Sequence, residues 1–235
     1  MIAAAREKLG TDCYVGYGLS ETTPVLTVAR LKDTLRDRPA AERYARNAMT
    51  GVAIPGVEVR VVDADDRDVP ADGATMGEIV VRADHVMRGY HNLPEETAQA
   101  LRGGWFHTGD LATMDDEGYL QIKDRAKDII ISGGENIASV EIEEVLYQHP
   151  AVLEAAVVAA PDERWGEVPV GLIVLKPQHT ATAEEILAFA ADRLPGFERP
   201  KLIEFLPEFP KTGTGKIVKT ALREKYWAGY TTRVH

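Results

Sequence analysis

Residues 104–144 read GWFHTGDLATMDDEGYLQIKDRAKDIIISGGENIASVEIEE and join two differently patterned halves of the chain. The stretch opens on an aromatic–polar–acidic cluster, Trp105-Phe106-His107-Thr108-Gly109-Asp110. An acidic turn, Asp115-Asp116-Glu117-Gly118, leads into a short alternating run from Tyr119 to Lys123. A charged knot follows, Lys123-Asp124-Arg125-Ala126-Lys127-Asp128, then the apolar triplet Ile129 to Ile131, then Gly133-Gly134. An acidic helix start at Val140 to Glu144 closes it. A charged pivot between patterned segments, with a glycine elbow behind it, suits a moving joint beside a polar ligand better than a buried core.

Upstream of the pivot the pattern predicts mostly short antiparallel strands, a single barrel-like subdomain. Expected elements are a helix at Ile2–Leu9 stopped by Gly10, strands at Cys13–Tyr17 and Val25–Ala29, and helix and loop over Leu31–Asn47. Strands at Val57–Val62 and Gly77–Arg82 flank an exposed, Asp-dense hairpin loop, Asp63–Gly73. A helix over Pro94–Leu101 starts with proline in its first turn, where the missing N–H costs nothing. Downstream the rhythm changes: strand Asp128–Ser132, helix Val140–Gln148, strands Leu153–Ala160 and Val168–Leu175, helix Ala183–Leu194, strand Leu202–Leu206, helix Ile217–Tyr226. Thr182 and Glu185 form a capping box. The βαββαβα order implies a small α+β domain with helices against an antiparallel sheet. The domains are therefore expected at 1–123 and 124–235, and the fold class is α+β.

The bulk properties narrow the function. The chain has 235 residues, 45% of them hydrophobic and 27% charged, ordinary values for a globular protein of one large or two smaller domains. No apolar run is long enough for a transmembrane helix, and the N-terminal residues do not read as a secretory signal. Cys13 is the single cysteine, so no internal disulfide forms and the reducing cytoplasm is the expected location. The six histidines make no metal-ligand spacing. A formal charge of −10 argues against nucleic acid as a partner. Against that background Arg199 to Lys225 holds seven basic and three acidic residues, either a docking place for an anion or a solvated face.

Three stretches, in order, resemble the adenylate-forming superfamily of acyl-CoA synthetases, luciferases and adenylation domains. They are Tyr17-Gly18-Leu19-Ser20-Glu21-Thr22, the Gly104 to Glu144 stretch, and Pro210-Lys211-Thr212-Gly213-Thr214-Gly215-Lys216-Ile217. Together they cover nearly the whole chain. The run from His107 to Glu144 is most similar to fatty-acid and related carboxylate–CoA ligases. The resemblance implies that the chain is the tail of the large adenylating domain followed by the whole small C-terminal domain.

It also implies roles. Tyr17 and Gly18 lie at adenine and Ser20 at phosphate; the family often has Thr at the last position. Glu21 holds Mg²⁺, a hard cation that takes oxygen ligands. Asp110 accepts hydrogen bonds from the ribose hydroxyls, and Arg125 contacts ribose or phosphate. Asp124 is the hinge about which the small domain turns between half-reactions. Gly133 and Gly134 border the pantetheine arm of coenzyme A, with Trp165, Phe197, Arg199 and Lys201 toward its nucleotide end. Lys216 is the adenylation lysine, stabilising charge that develops as the acyl-adenylate forms; Lys211, earlier in the loop, is the weaker candidate. From the residues alone these segments also read as a strand end and turn, a tight Gly-Asp turn, a surface charge cluster, a strand-to-helix turn and ordinary packing. His107 reads as structural.

The implied activity is ATP-dependent acyl-CoA synthesis from a fatty or shorter carboxylic acid, with ATP, Mg²⁺ and coenzyme A. Alternatives are a non-catalytic binding module that keeps the fold, or an enzyme loading a carrier-protein thiol. Intact Glu21, Asp110 and Lys216 favour the enzyme, and the Gly133–Asn136 elbow favours coenzyme A. The family's phosphate loop and most of its acyl pocket have no counterpart here. A homodimer, or a missing N-terminal portion, is the expected protein partner.

Overall fold

The computed structural model describes residues 2–230; Met1 and 231–235, the outer ends of the two expected domains, lie outside the described residues. Contacts divide the chain into two compact units, one reaching Ala126 and the other starting at Lys127. The architecture is mixed α and β with antiparallel sheets.

The first unit begins with helix α1 (Ile2–Leu9), followed by strands β1 (Gly16–Tyr17) and β2 (Thr27–Val28), both shorter than expected. Helix α2 (Ala40–Ala48) and strand β3 (Val52–Ala53) follow, and β1, β2 and β3 form a small antiparallel sheet. Strands β4 (Glu58–Val62) and β5 (Gly77–Arg82), helix α3 (Pro94–Ala100), and strands β6 (Phe106–Met114) and β7 (Leu120–Arg125) complete the unit. The four strands β4 to β7 run as an antiparallel meander in sequence order. A bridge between Gly51 and Leu120 ties the two sheets. The nine-residue β6 was legible only as a mixed cluster, because its polar residues sit inside the strand.

The acidic turn works as its composition demands. Asp115 Oδ1 accepts from Glu117 N–H at 3.0 Å and from Tyr119 N–H at 2.9 Å, closing the β6–β7 hairpin. Tyr119 is fully buried and its hydroxyl is satisfied twice, donating to Arg30 O at 3.0 Å and accepting from Lys32 N–H at 2.9 Å. Leu26, Val57, Val61, Ile79, Val81, Phe106, Ala112 and Leu120 form this unit's core.

The second unit contains β8 (Ile130–Ser132), β9 (Glu135–Ile137), α4 (Ser139–Tyr147), β10 (Val152–Asp162), β11 (Gly166–Leu175), α5 (Ala183–Ala191), β12 (Leu202–Phe205) and α6 (Lys219–Trp227). Two expectations are corrected here. Gly133-Gly134 is not a strand-to-helix elbow but the two-residue turn of a β8–β9 hairpin, with Ser132 opposite Glu135. Their φ angles of 61° and 90° are those of a type I′ turn, whose twist matches paired strands and which glycine enters without strain. The sheet is also not wholly antiparallel. β12 pairs parallel with β11, Val170 opposite Leu202, because α5 carries the chain back across the sheet before β12 begins.

Alternation along β10 sorts the core. Ala155, Val157 and Ala159 join Ile142 and Leu146 of α4 and Ile186 and Ala190 of α5. Ala156, Val158 and Ala160 face the other way, with Leu172 of β11, Phe209 and Leu222 of α6. Both faces of its middle, Ala155–Ala160, are covered, so that part of the strand is apolar without interruption. The Thr182–Glu185 capping box is present at the start of α5. Ile142 is fully buried at the contact of α4 with the sheet. Ile142→Ala is expected to destabilise the protein by about 2–5 kcal/mol, since the cavity adds to the lost transfer energy. Urea unfolding measures it; a loss under about 1 kcal/mol would mean that the site can collapse around the smaller side chain.

Candidate functional site

Two irregularities in the meander create the site of Asp110. Between Glu78 and Val80 of β5, β6 runs from Leu111 back to His107, so β6 carries extra residues there. Beyond it, β7 steps from Asp124 to Ile122 while β6 steps from Leu111 to Ala112, which leaves Lys123 as the extra residue on β7. Such bulges re-aim side chains. Here they set Asp110 opposite Arg125 in the ladder.

Glu78 holds the first bulge. Its Oε1 accepts from Gly109 N–H at 2.9 Å; its Oε2 lies 2.8 Å from His107 Nδ1 and 3.3 Å from Arg102 Nη2. Thr108 Oγ1 donates to Ile79 O at 2.8 Å and accepts from Asp110 N–H at 3.1 Å. Asp110 is 7% exposed, and two groups converge on its carboxylate. Tyr17 O–H donates to its Oδ2 at 2.7 Å. Arg125 Nε lies 3.4 Å from its Oδ1. Burial, then the Asp110 carboxylate, push the Tyr17 phenol above its ordinary range, so it stays a donor throughout neutral pH. Asp124, next along β7, is 4% exposed and its Oδ1 accepts from Arg125 N–H at 2.7 Å.

The loop after Tyr17 is closed on itself. A Cβ on Gly18 would meet Pro24 O at 1.5 Å, so the room that glycine opens is filled by the protein's own backbone. The Ser20–Thr22 turn is fastened by Thr22, whose hydroxyl accepts from Leu19 N–H at 2.9 Å; the exposed Ser20 hydroxyl has no partner among the described residues. A second loop braces this one. Met87 N–H donates to Glu21 O at 2.7 Å, Thr23 Oγ1 donates to His85 O at 3.2 Å, and Tyr90 O–H donates to Glu21 Oε1 at 3.1 Å. Among the described residues no three carboxylates, histidines or cysteines group to hold a metal. The Glu21 carboxylate is a single oxygen donor of the kind that hard cations take.

In the second unit a pocket of ≈ 280 Å³ is lined by Ser132, Gly133, Glu135, Trp165, Gly196, Phe197 and Lys201. Gly133 N–H donates to Trp165 O at 2.8 Å, and a Cβ on Gly133 would come within 2.9 Å of the indole. Trp165 is 42% and Phe197 48% exposed, large values for aromatic side chains. Gly134 faces open space. Arg199 stands apart from this lining, its Nε donating to Leu194 O at 3.0 Å. The 211–217 loop is closed by a Lys211–Ile217 bridge and by Thr212 N–H donating to Lys216 O at 2.8 Å. Lys211 pairs with Glu154 at 2.6 Å, whereas the exposed Lys216 ammonium meets no partner among the described residues.

The sequence reading gave no role to Glu78 or Tyr90 and quoted Thr108 only within its cluster. Tyr90 reaches Glu21, and Glu78 the Gly109 backbone, from distant segments, which no local pattern marks.

Comparison with known proteins gives the family. Residues 1–91 match the family described as AMP-binding enzyme, and 141–216 match the AMP-binding enzyme C-terminal domain. An acetate–CoA ligase of Humulus lupulus is 48% identical over 216 residues, 89% of this chain and 38% of that protein. A peroxisomal acetate/butyrate–CoA ligase of Arabidopsis thaliana gives the same identity and coverage. The o-succinylbenzoate–CoA synthetase of Bacillus subtilis, solved with its acyl-adenylate intermediate, superposes with a TM-score of 0.81 at 32% identity, over 94% of this chain and 43% of that one. The chain spans about two fifths of the length of the curated relatives it matches.

Proposed function

Because the chain belongs to the AMP-binding enzymes, we propose that it is part of an acid–thiol ligase that joins a short-chain carboxylate to coenzyme A. The acid attacks the α-phosphorus of ATP, giving acyl-AMP and pyrophosphate. The thiol of coenzyme A then attacks the acyl carbon, and AMP leaves. The convergence of Tyr17, Asp110 and Arg125 carries this reading. A buried carboxylate beside an aromatic ring and a guanidinium suits a nucleoside monophosphate, which presents a flat base, a diol and an anion.

In this reading Tyr17 and Gly18 border adenine, Ser20 a phosphate oxygen, and Asp110 the ribose diol, with Arg125 beside it. Mg²⁺ enters with ATP as substrate and meets Glu21. Lys216 neutralises charge on the α-phosphate and the attacking carboxylate. Asp124 is the joint between the half-reactions. The pocket at Gly133, Trp165, Phe197 and Lys201 takes coenzyme A, with Gly134 and Arg199 at its margin; aromatic surface for a base and a cation for phosphate support that assignment. A short acid is supported by the acetate and butyrate named for two relatives. No helix among the described residues is long and apolar enough to cross a membrane. The single, exposed Cys13 supports a reducing compartment, and we assign the cytoplasm. The protein partner in this reading is a second copy of the chain or the rest of the enzyme.

The test is product stoichiometry with the whole enzyme, ATP, Mg²⁺, coenzyme A and acetate or butyrate. AMP, pyrophosphate and acyl-CoA are expected in equal amounts, each dependent on the acid. Release of ADP and phosphate would replace this chemistry with an acyl-phosphate route.

A further inference from the structure

Resting on the nucleotide reading above, we infer that Tyr17 acts through its hydroxyl as well as its ring, as the positioning residue that presents the Asp110 carboxylate to a ribose diol. A carboxylate has two oxygens and about four lone-pair directions. Tyr17 takes one direction on Oδ2 at 2.7 Å, and Arg125 approaches Oδ1 at 3.4 Å. One direction on each oxygen is left, and two neighbouring sugar hydroxyls can fill them together. Asp110 is 7% exposed, so its charge has little water around it and is sensitive to losing a donor. Thr108 fastens the backbone of Asp110, and Tyr17 and Arg125 meet its carboxylate. Without the phenol, that carboxylate would swing toward the guanidinium of Arg125 and away from the sugar.

The phenol is suited to the task. Its raised pKa keeps the proton on it, so it goes on donating to Asp110 throughout neutral pH. The β2 ladder holds it in place, with Tyr17 opposite Thr27, and Leu26 N–H donating to Tyr17 O at 2.7 Å. One residue would thus present a face to the base and a donor to the group that reads the sugar. Affinity for base and for sugar are coupled by that double use.

The experiment is calorimetric titration of the whole enzyme with AMP and with 2′,3′-dideoxy-AMP. The proteins are wild type, Tyr17→Phe and Asp110→Asn, with thermal unfolding as the check on folding. Wild type should prefer AMP. Tyr17→Phe should bind AMP about tenfold more weakly, the size of effect expected for one hydrogen bond to a charged group, and should bind the dideoxy analogue as wild type does. Should Tyr17→Phe not fold, 4-fluorophenylalanine at position 17 keeps the shape without the donor. If the donor-less protein retained the full preference for AMP while Asp110→Asn lost it, the inference would fail and the nucleotide reading would stand. Equal weakening of both ligands would make Tyr17 a support for the base alone, which also overturns the inference. If wild type did not prefer AMP and Asp110→Asn changed nothing, the nucleotide reading itself would fall, and the inference with it.

Discussion

Replacing Lys216 with alanine in the whole enzyme should slow acyl-adenylate formation by about 10²–10³-fold, while thioester formation from supplied acyl-AMP is unchanged. The magnitude is that of losing one preorganised group aimed at charge that develops in the transition state. The asymmetry follows from timing: the charge on the attacking carboxylate and the α-phosphate changes only in the first half-reaction. The loop supports this choice of lysine over its neighbour. Lys211 is committed to Glu154 at 2.6 Å. Lys216 is exposed on a loop whose backbone is closed under it, with Lys216 N–H donating to Thr212 Oγ1 at 3.2 Å. Lys211→Ala should therefore leave both steps nearly intact. Carboxylate-dependent pyrophosphate exchange reads the first step, and thioester yield from synthetic acyl-AMP reads the second. Equal losses in the two would remove Lys216 from the chemistry and make it a support of the loop.

The second large effect is expected from Asp124→Pro. Proline holds φ near −65° and so forbids a residue to move between distant backbone conformations. Asp124 lies in β7, opposite Leu111, at the edge of its sheet. An extended strand tolerates such a φ at an edge position, whereas a hinge must leave it. Thioester formation is expected to fall by about a hundredfold or more, since small misplacements of reacting groups already cost that much. Adenylation should survive. Single-turnover measurement of each half-reaction makes the comparison, with the urea midpoint as the control for damage to β7. If both half-reactions ran at wild-type rates, Asp124 would be an ordinary strand residue and the joint would have to be sought after Ala126, where the compact units divide.

Where a side chain acts on its own neighbours, the amino-acid order alone was sufficient. The Thr182–Glu185 box starts α5 because hydroxyl and carboxylate reach N–H groups three residues away. The acidic turn at Asp115 closes for the same local reason. The apolar run Ala155–Ala160 was enough to place a strand there, and alternation along it assigns each residue to one layer. The family motifs likewise brought Tyr17, Asp110, Arg125 and Lys216 forward as candidates.

Tertiary structure decided what those residues touch. The Tyr17–Asp110 hydrogen bond spans 93 positions. It requires a β6 bulge held by Glu78 and a β7 bulge at Lys123, and a bulge depends on how two strands register rather than on either strand's composition. The same dependence hid the β8–β9 hairpin, because Gly133-Gly134 permits an elbow or a type I′ turn until Ser132 finds Glu135. It also hid the parallel β12, whose direction is set by the path of α5 across the sheet and not by its four residues. Glycine at position 18 is the sharpest case: the resemblance set it at adenine, and the folded loop fills the space of its missing side chain with Pro24. Short-range capping and alternation are written in the order of residues, whereas register, crossover and close approach exist only once distant segments have met.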